Sequence, residues 1–257
     1  MIELKTSEEI KIMAEGGRRL AEVLTRLKSE IIPGVTTKSL DKLSRELIRA
    51  TGSTPAFLGY RPRGAKRAYP ATICSSINDI VVHGLPKMEH LKEGDIISID
   101  VGLKYKGFYL DAAFTAGVGE ISAEAKKLIS ITEQTLREAI KETKPGKRLG
   151  DIGHAVQSLA EKNNFSVVRS LTGHGIGRQL HEDPNVFNFG RPKSGEPLEI
   201  GMVIAIEPML SAAPPPDGGK IRTLSDDSFA TLNGSLAAHF EHTVAITKKG
   251  PQILTKI

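Results

Sequence analysis

The chain has 257 residues, 39% of them apolar and 25% charged, with a formal net charge of +5. That length buries a sizeable core in one large domain or two small ones, and the composition excludes a low-complexity or collagen-like chain. A single cysteine, Cys74, excludes an internal disulfide framework and a cysteine-rich zinc site. No run approaches the ~18 unbroken apolar residues of a membrane span. The opening Met1-Ile2-Glu3-Leu4-Lys5 lacks both a signal-peptide core and a transit-peptide bias. The expectation is a soluble, unexported, cytoplasmic protein with no membrane partner. The mild positive charge fits simple solubility or contact with a polyanion.

In chain order, residues 6–28 read as an amphipathic helix. Thr6 and Glu9 form a capping box, and Ile10, Met13, Leu20, Leu24 and Leu27 fall near one face. Pro33-Gly34 breaks the chain, and a shorter helix over 38–50 carries Leu40, Leu43 and Leu47 before Gly52. The order then recurs. Ser122 opens a helical stretch to about Thr143, Pro145-Gly146 breaks it, and a second helix carries Ile152, Val156 and Leu159.

After each helix pair the echo sharpens. His83-Gly84-Leu85-Pro86 is answered by His181-Glu182-Asp183-Pro184, and Leu91 to Asp100 by Leu198 to Glu207. Both longer segments run from a turn glycine through a nearly continuous apolar strand to a carboxylate, the pattern of a buried strand. One more acid follows in each half, Asp111 and Glu241. The period is too long for a solenoid unit. Two α+β halves, about 1–120 and 121–257, are expected to form one domain around a local two-fold axis. A site at their interface would receive equivalent side chains from both.

Lys106-Gly107 reads as a two-residue hairpin turn, and across such a turn residues of opposite parity share a face. Asp100 and Asp111 would then lie side by side, where without a cation one would tend to stay protonated. Taken alone, the pair could equally be exposed strand-end acids. Gly173-His174-Gly175 sets a histidine where backbone approaches closely, Glu207 ends an apolar strand, and Glu241 precedes another. Singly these too have ordinary readings, a satisfied core histidine or a lysine's partner. Together, four acids and one histidine delivered mostly by buried strands call for metal. Carboxylate and imidazole donors suit Mn, Fe(II), Co or Zn. Five ligands with two bridging carboxylates fit a pair of ions about 3.5–4 Å apart. His83 and His181, equivalent in the two repeats, are placed to donate to a substrate or a developing oxyanion.

In order along the chain, Ser76-Ile77-Asn78, His83-Gly84-Leu85-Pro86, Asp100-Val101-Gly102, Asp111, Gly173-His174-Gly175-Ile176-Gly177, His181-Glu182-Asp183-Pro184, Ile206-Glu207-Pro208 and Glu241-His242-Thr243 resemble the motif series of the type 1 methionine aminopeptidases of peptidase family M24. The match covers nearly the whole chain. The resemblance implies the pita-bread α+β fold, with helices outside a curved antiparallel sheet. It implies two divalent ions, Asp100 chelating one, Asp111 and Glu241 bridging both, and His174 and Glu207 holding the second. It further implies that water activated between the ions attacks the first peptide bond, with Glu207 as general base. His181 would steady the oxyanion, His83 would contact the scissile amide, and the substrate's amine would dock near Asp100. Tyr60, Tyr69 and Cys74 are the expected methionine-pocket residues. The implied substrate is the N-terminal methionine of nascent polypeptides, and the implied enzyme a monomeric, short bacterial-type form.

The chain also departs from that pattern. Arg61 to Arg67 is a longer loop than the family's compact turn, with four basic residues in seven. It reads either as a solvated surface loop or as a border of the cleft able to contact ribosomal RNA or acidic stretches of a nascent chain. Leu180 stands where an aromatic is common, and Phe229 is a further apolar candidate. Two other readings differ in testable ways. A proline-specific aminopeptidase of the same fold would release proline-linked residues, and a non-catalytic pita-bread binding protein would fail to bind metal. Fold alone does not decide between them.

Overall fold

The computed structural model describes residues 2–61 and 67–256. Among these residues four helices lie where the periodicity puts them: α1 Ser7–Ser29, α2 Thr37–Ala50, α3 Ala123–Glu142 and α4 Leu149–Lys162. Thr6 sits outside α1 as its cap: its hydroxyl accepts from the Glu9 N–H at 3.3 Å, and the Glu9 carboxylate accepts from the Thr6 N–H at 2.8 Å. Met13, Leu20, Leu24 and Leu27 of α1 are fully buried, each worth about 1.5–3 kcal/mol of apolar burial. The helix packs so closely that a Cβ on Gly17 would stand 2.1 Å from the Leu254 carbonyl oxygen. No described helix is long and apolar enough to cross a membrane.

Among the described residues the main sheet has nine strands, all paired antiparallel. Its middle runs Ile96–Tyr105, Phe108–Gly117, Glu241–Thr247, Val203–Ile206. The two central strands come from opposite halves of the chain, and each has its own half's apolar strand outside it. The first pair is the expected hairpin. Tyr105 pairs with Phe108, and Lys106 and Gly107 both take positive φ, 45° and 91°, as a type I′ turn requires. Asp100 faces Ala113 and Asp111 faces Gly102, so both carboxylates share one face.

Two smaller sheets wall the same region. One pairs Met209–Ser211 with Ala237–His239 and Ser166–Val167, and the other pairs Ile80–Val82 with Phe229–Thr231. One hydrophobic cluster draws on both halves, from Leu20 and Ile99 to Ile204 and Val244. This buried backing stiffens the strands whose ends carry the acids.

Candidate metal centre

The polar residues converge on a cavity of about 1370 Å³. Asp111, His174 and Glu241 each offer a ligand atom, and these atoms lie within 4.8 Å of one another. Asp100 and Glu207 line the same cavity. Asp100 reaches Asp111 side chain to side chain, and Glu207 Oε1 lies 3.6 Å from His174 Nε2. Each position has a local cause. The Thr243 hydroxyl accepts from the Asp111 N–H at 3.0 Å and donates to the Asp111 carbonyl at 2.8 Å, stitching the two central strands at the level of the acids. A Cβ on Gly173 would meet the Ala205 carbonyl at 2.4 Å, so glycine is what lets the His174 strand close on its neighbour. Nδ1 of His174 lies 2.8 Å from the Gly175 carbonyl, so Nδ1 carries the hydrogen and Nε2 faces the cluster as a free lone pair. Asn188 Nδ2 donates to the Glu207 carbonyl at 2.9 Å and fixes the chain where that strand ends.

The acids are buried together at high electrostatic cost. Burial pushes the carboxyl of Asp100 up to about 6 and that of Glu207 up to about 8. Asp111 and Glu241 are also raised, by burial first and then by their acidic neighbours. Asp100 Oδ1, Asp111 Oδ1 and Glu241 Oε1 are buried without a hydrogen-bond partner. Such groups cost stability unless a cation compensates them. Orphaned carboxylate oxygens, hard donors and a lone pair aimed at the same point fit a divalent ion.

Around this floor stand the outer residues. Burial lowers His181 to about 3 and His83 to about 4. Both residues line the cavity and keep exposed surface there, and the lowered pKa makes each a neutral imidazole at pH 7. Nδ1 of His181 is 2.7 Å from the Tyr60 hydroxyl. The His83 ring lies 5.6 Å from that of Phe229, which also lines the cavity. Tyr69, edge-on to Phe57 with centroids 6.4 Å apart, donates its hydroxyl to the carbonyls of Ile73 and Gly84. Its phenol is thereby committed to the wall. Cys74 is the cross-strand partner of Asp100, and its buried thiol is raised by that burial and by Asp100. Leu180 is buried. Arg67 pairs with Asp227 at 3.9 Å, both largely exposed, while residues 62–66 of the basic loop lie outside the described residues.

Sequence reasoning missed His239. It is buried, with Nε2 3.5 Å from Glu207 Oε2, and the Asp100 charge also acts on it. Its backbone is held on both sides by the Thr115 hydroxyl at 2.9 Å. One signal was available: in an extended run His239 and Glu241 share parity and so a face.

The match to the model of metallopeptidase family M24 runs over residues 11–248. The methionine aminopeptidase 1 of Bacillus subtilis is 45% identical, and a methionine aminopeptidase of Clostridium perfringens 47% identical, each over 100% of both chains. A crystal structure of the methionine aminopeptidase from Rickettsia prowazekii superposes with a TM-score of 0.94 at 39% identity, covering 100% of both chains. A prolidase from Pyrococcus furiosus has the same fold, with a TM-score of 0.77 at 21% identity.

Fold and donor set together define a metallopeptidase of the pita-bread class. The chain belongs to metallopeptidase family M24, and within it to the methionine aminopeptidases.

Proposed function

We propose that this chain is a metal-dependent exopeptidase that removes the initiator methionine from new proteins by hydrolysis of the first peptide bond. The observation that carries the reading is the convergence of Asp111, His174 and Glu241 within 4.8 Å, in a chain matched end to end by methionine aminopeptidases. Two divalent ions, from among Co, Mn, Fe(II) and Zn, would be held with Asp100 on the first, Asp111 and Glu241 shared, and His174 and Glu207 on the second. When bound, such ions lower the pKa of water and polarise a carbonyl.

The chain's own groups do the rest. Glu207, at the rim of the donor set beside His174, is the general base that takes a proton from water and releases it to the departing amine. With Nδ1 of His181 accepting from the Tyr60 hydroxyl, Nε2 carries the hydrogen and donates it to the carbonyl oxygen as negative charge develops there. His83 donates to the scissile amide. Asp100 receives the substrate's free amine, which restricts cleavage to the chain end. Tyr60, Tyr69 and Cys74, with Phe229, line the cavity that takes the methionine side chain.

The same reading takes the chain as one catalytic domain, a cytoplasmic monomer acting on nascent polypeptides, with the basic residues at 61–67 touching the ribosome. Serine at Arg61, Arg63, Lys66 and Arg67 should then leave Met-Ala cleavage nearly unchanged but reduce ribosome co-sedimentation at low salt. Equal co-sedimentation would reject that contact. The main reading is tested with Met-Ala, Met-Lys, Ala-Pro and other Xaa-Pro peptides, each assayed with every candidate metal after chelation. Methionine release restored by metal is expected. Release of proline-linked residues in preference to methionine would overturn it.

A further inference from the structure

We propose that Lys5 is a positioning residue for His181, its buried ammonium holding the 177–182 turn through Glu182 so that the His181 ring faces the substrate carbonyl. This rests on the role just assigned to His181. The Lys5 side chain is 2% exposed and that of Glu182 8% exposed, and the two form a direct ion pair. Lys5 Nζ donates to Glu182 Oε2 and, at 2.9 Å, to the Glu3 carbonyl. The other oxygen, Oε1, accepts from the Gln179 N–H at 2.9 Å. The carboxylate next to His181 therefore closes the turn on itself with one oxygen and ties it to Lys5 with the other.

The turn is shaped to admit the lysine. A Cβ on Gly177 would lie 2.2 Å from Lys5 Cε and 2.8 Å from Nζ. The Gly177 carbonyl accepts from the Tyr109 N–H at 2.7 Å, two residues before Asp111 in its strand. On the far side, Arg178 pairs with Glu3 and Glu9, so the segment around Lys5 grips the turn at two places. The Lys5 backbone is anchored in turn. Its N–H donates to the Gly201 carbonyl at 2.7 Å, and the Gly201 N–H donates to Ile246 at 2.9 Å. Gly201 precedes the Val203–Ile206 strand that delivers Glu207. Lys5 thus couples the turn carrying His181 to the strands carrying Glu207 and Glu241.

A buried ion pair is a poor device for stability alone, since desolvation offsets most of its attraction. Its use here is geometric, because an oxyanion donor works only at the correct distance and angle.

The test is a mutant cycle on Met-Ala cleavage by the metal-loaded enzyme. Lys5→Met keeps the aliphatic stem and removes the charge. In the wild-type background it should lower kcat about tenfold or more, with KM and metal content unchanged. In the His181→Ala background the same substitution should have little further effect on kcat. An equal fold loss in both backgrounds means general damage and overturns the proposal. If His181→Ala lowers kcat but Lys5→Met leaves it at the wild-type value, the proposal falls while the role of His181 stands. If His181→Ala has no effect, both fall. Should Lys5→Met fail to fold, the pair Lys5→Met with Glu182→Met removes the buried charges together. Wild-type kcat in that pair overturns the proposal, and the same loss as predicted for Lys5→Met upholds it.

Discussion

The Tyr60 hydroxyl and Nδ1 of His181 stand 2.7 Å apart, with the two rings tilted by 51° and their centroids separated by 5.2 Å. The contact spans 121 residues of sequence. It settles which imidazole nitrogen is free to donate if the phenol supplies its hydrogen to Nδ1. Tyr60→Phe removes that donor and keeps the ring. Steady-state kinetics should show kcat reduced about two- to twelvefold, the worth of one neutral hydrogen bond of about 0.5–1.5 kcal/mol, with metal content unchanged. An unaltered kcat would show that Tyr60 serves only as pocket wall.

Asp111 and Glu241 lie on the two paired strands at the centre of the sheet, with ligand atoms close together, and the Asp111 charge acts on Glu241. Asp111→Asn or Glu241→Gln removes one of the two carboxylates proposed to be shared while preserving shape. Activity should fall by orders of magnitude, and metal analysis after dialysis should show reduced loading. Full activity with unchanged stoichiometry in either variant would reject the bridging role.

His181 lies 4.4 Å from His174, centroid to centroid, but its Nδ1 is engaged by Tyr60. We propose that it acts on the substrate and is not a metal ligand. His181→Ala should lower kcat by roughly a hundredfold or more at normal metal content. Loss of metal in that variant would place His181 among the ligands.

The buried acids make the metal-free protein sensitive to pH in a defined direction. Glu207 titrates at about 8 in the folded chain against 4.5 for the free group, and Asp111 and Glu241 are also raised. Between those values the folded acids hold more protons than the unfolded ones, so their contribution to stability falls as pH rises, while the lowered histidines contribute a rise up to about 6.5, the free imidazole value. Each such group contributes a slope of up to about 1.4 kcal/mol per pH unit. Thermal melts of chelated protein should show Tm falling from pH 7.5 to pH 9, above the range in which the lowered histidines act in the opposite direction, with Glu207→Gln flattening the trend. Added divalent metal should raise Tm more at pH 8 than at pH 6, because only the ionised carboxylates attract it. A Tm of chelated protein that rises across this range would contradict the burial of ionisable acids.

Much of the architecture was legible because its causes are local. The α1 cap is a contact between Thr6 and Glu9, three residues apart, and the hairpin turn follows from Lys106-Gly107. Parity across that turn puts Asp100 and Asp111 on one face with no tertiary information. His239 escaped the reading because it belongs to no motif, and its significance comes from Glu207, 32 residues earlier in the chain. Lys5 escaped it for the same reason. Nothing near it in sequence announces a buried ammonium, since lysines are seldom buried unless paired.

By itself, then, the sequence determined the helices, the central hairpin and the set of acids and histidines that the two halves supply, because periodicity, capping and turn chemistry act over a few residues. The tertiary structure alone decided which of these side chains meet. It set the Thr243 stitch that aligns the Asp111 and Glu241 strands, the Tyr60 contact to His181, and the Lys5–Glu182 pair behind it. Those contacts join residues more than a hundred apart. Their geometry depends on how the sheet curves and how closely Gly173 and Gly177 let backbone and side chain approach, and no local pattern encodes that.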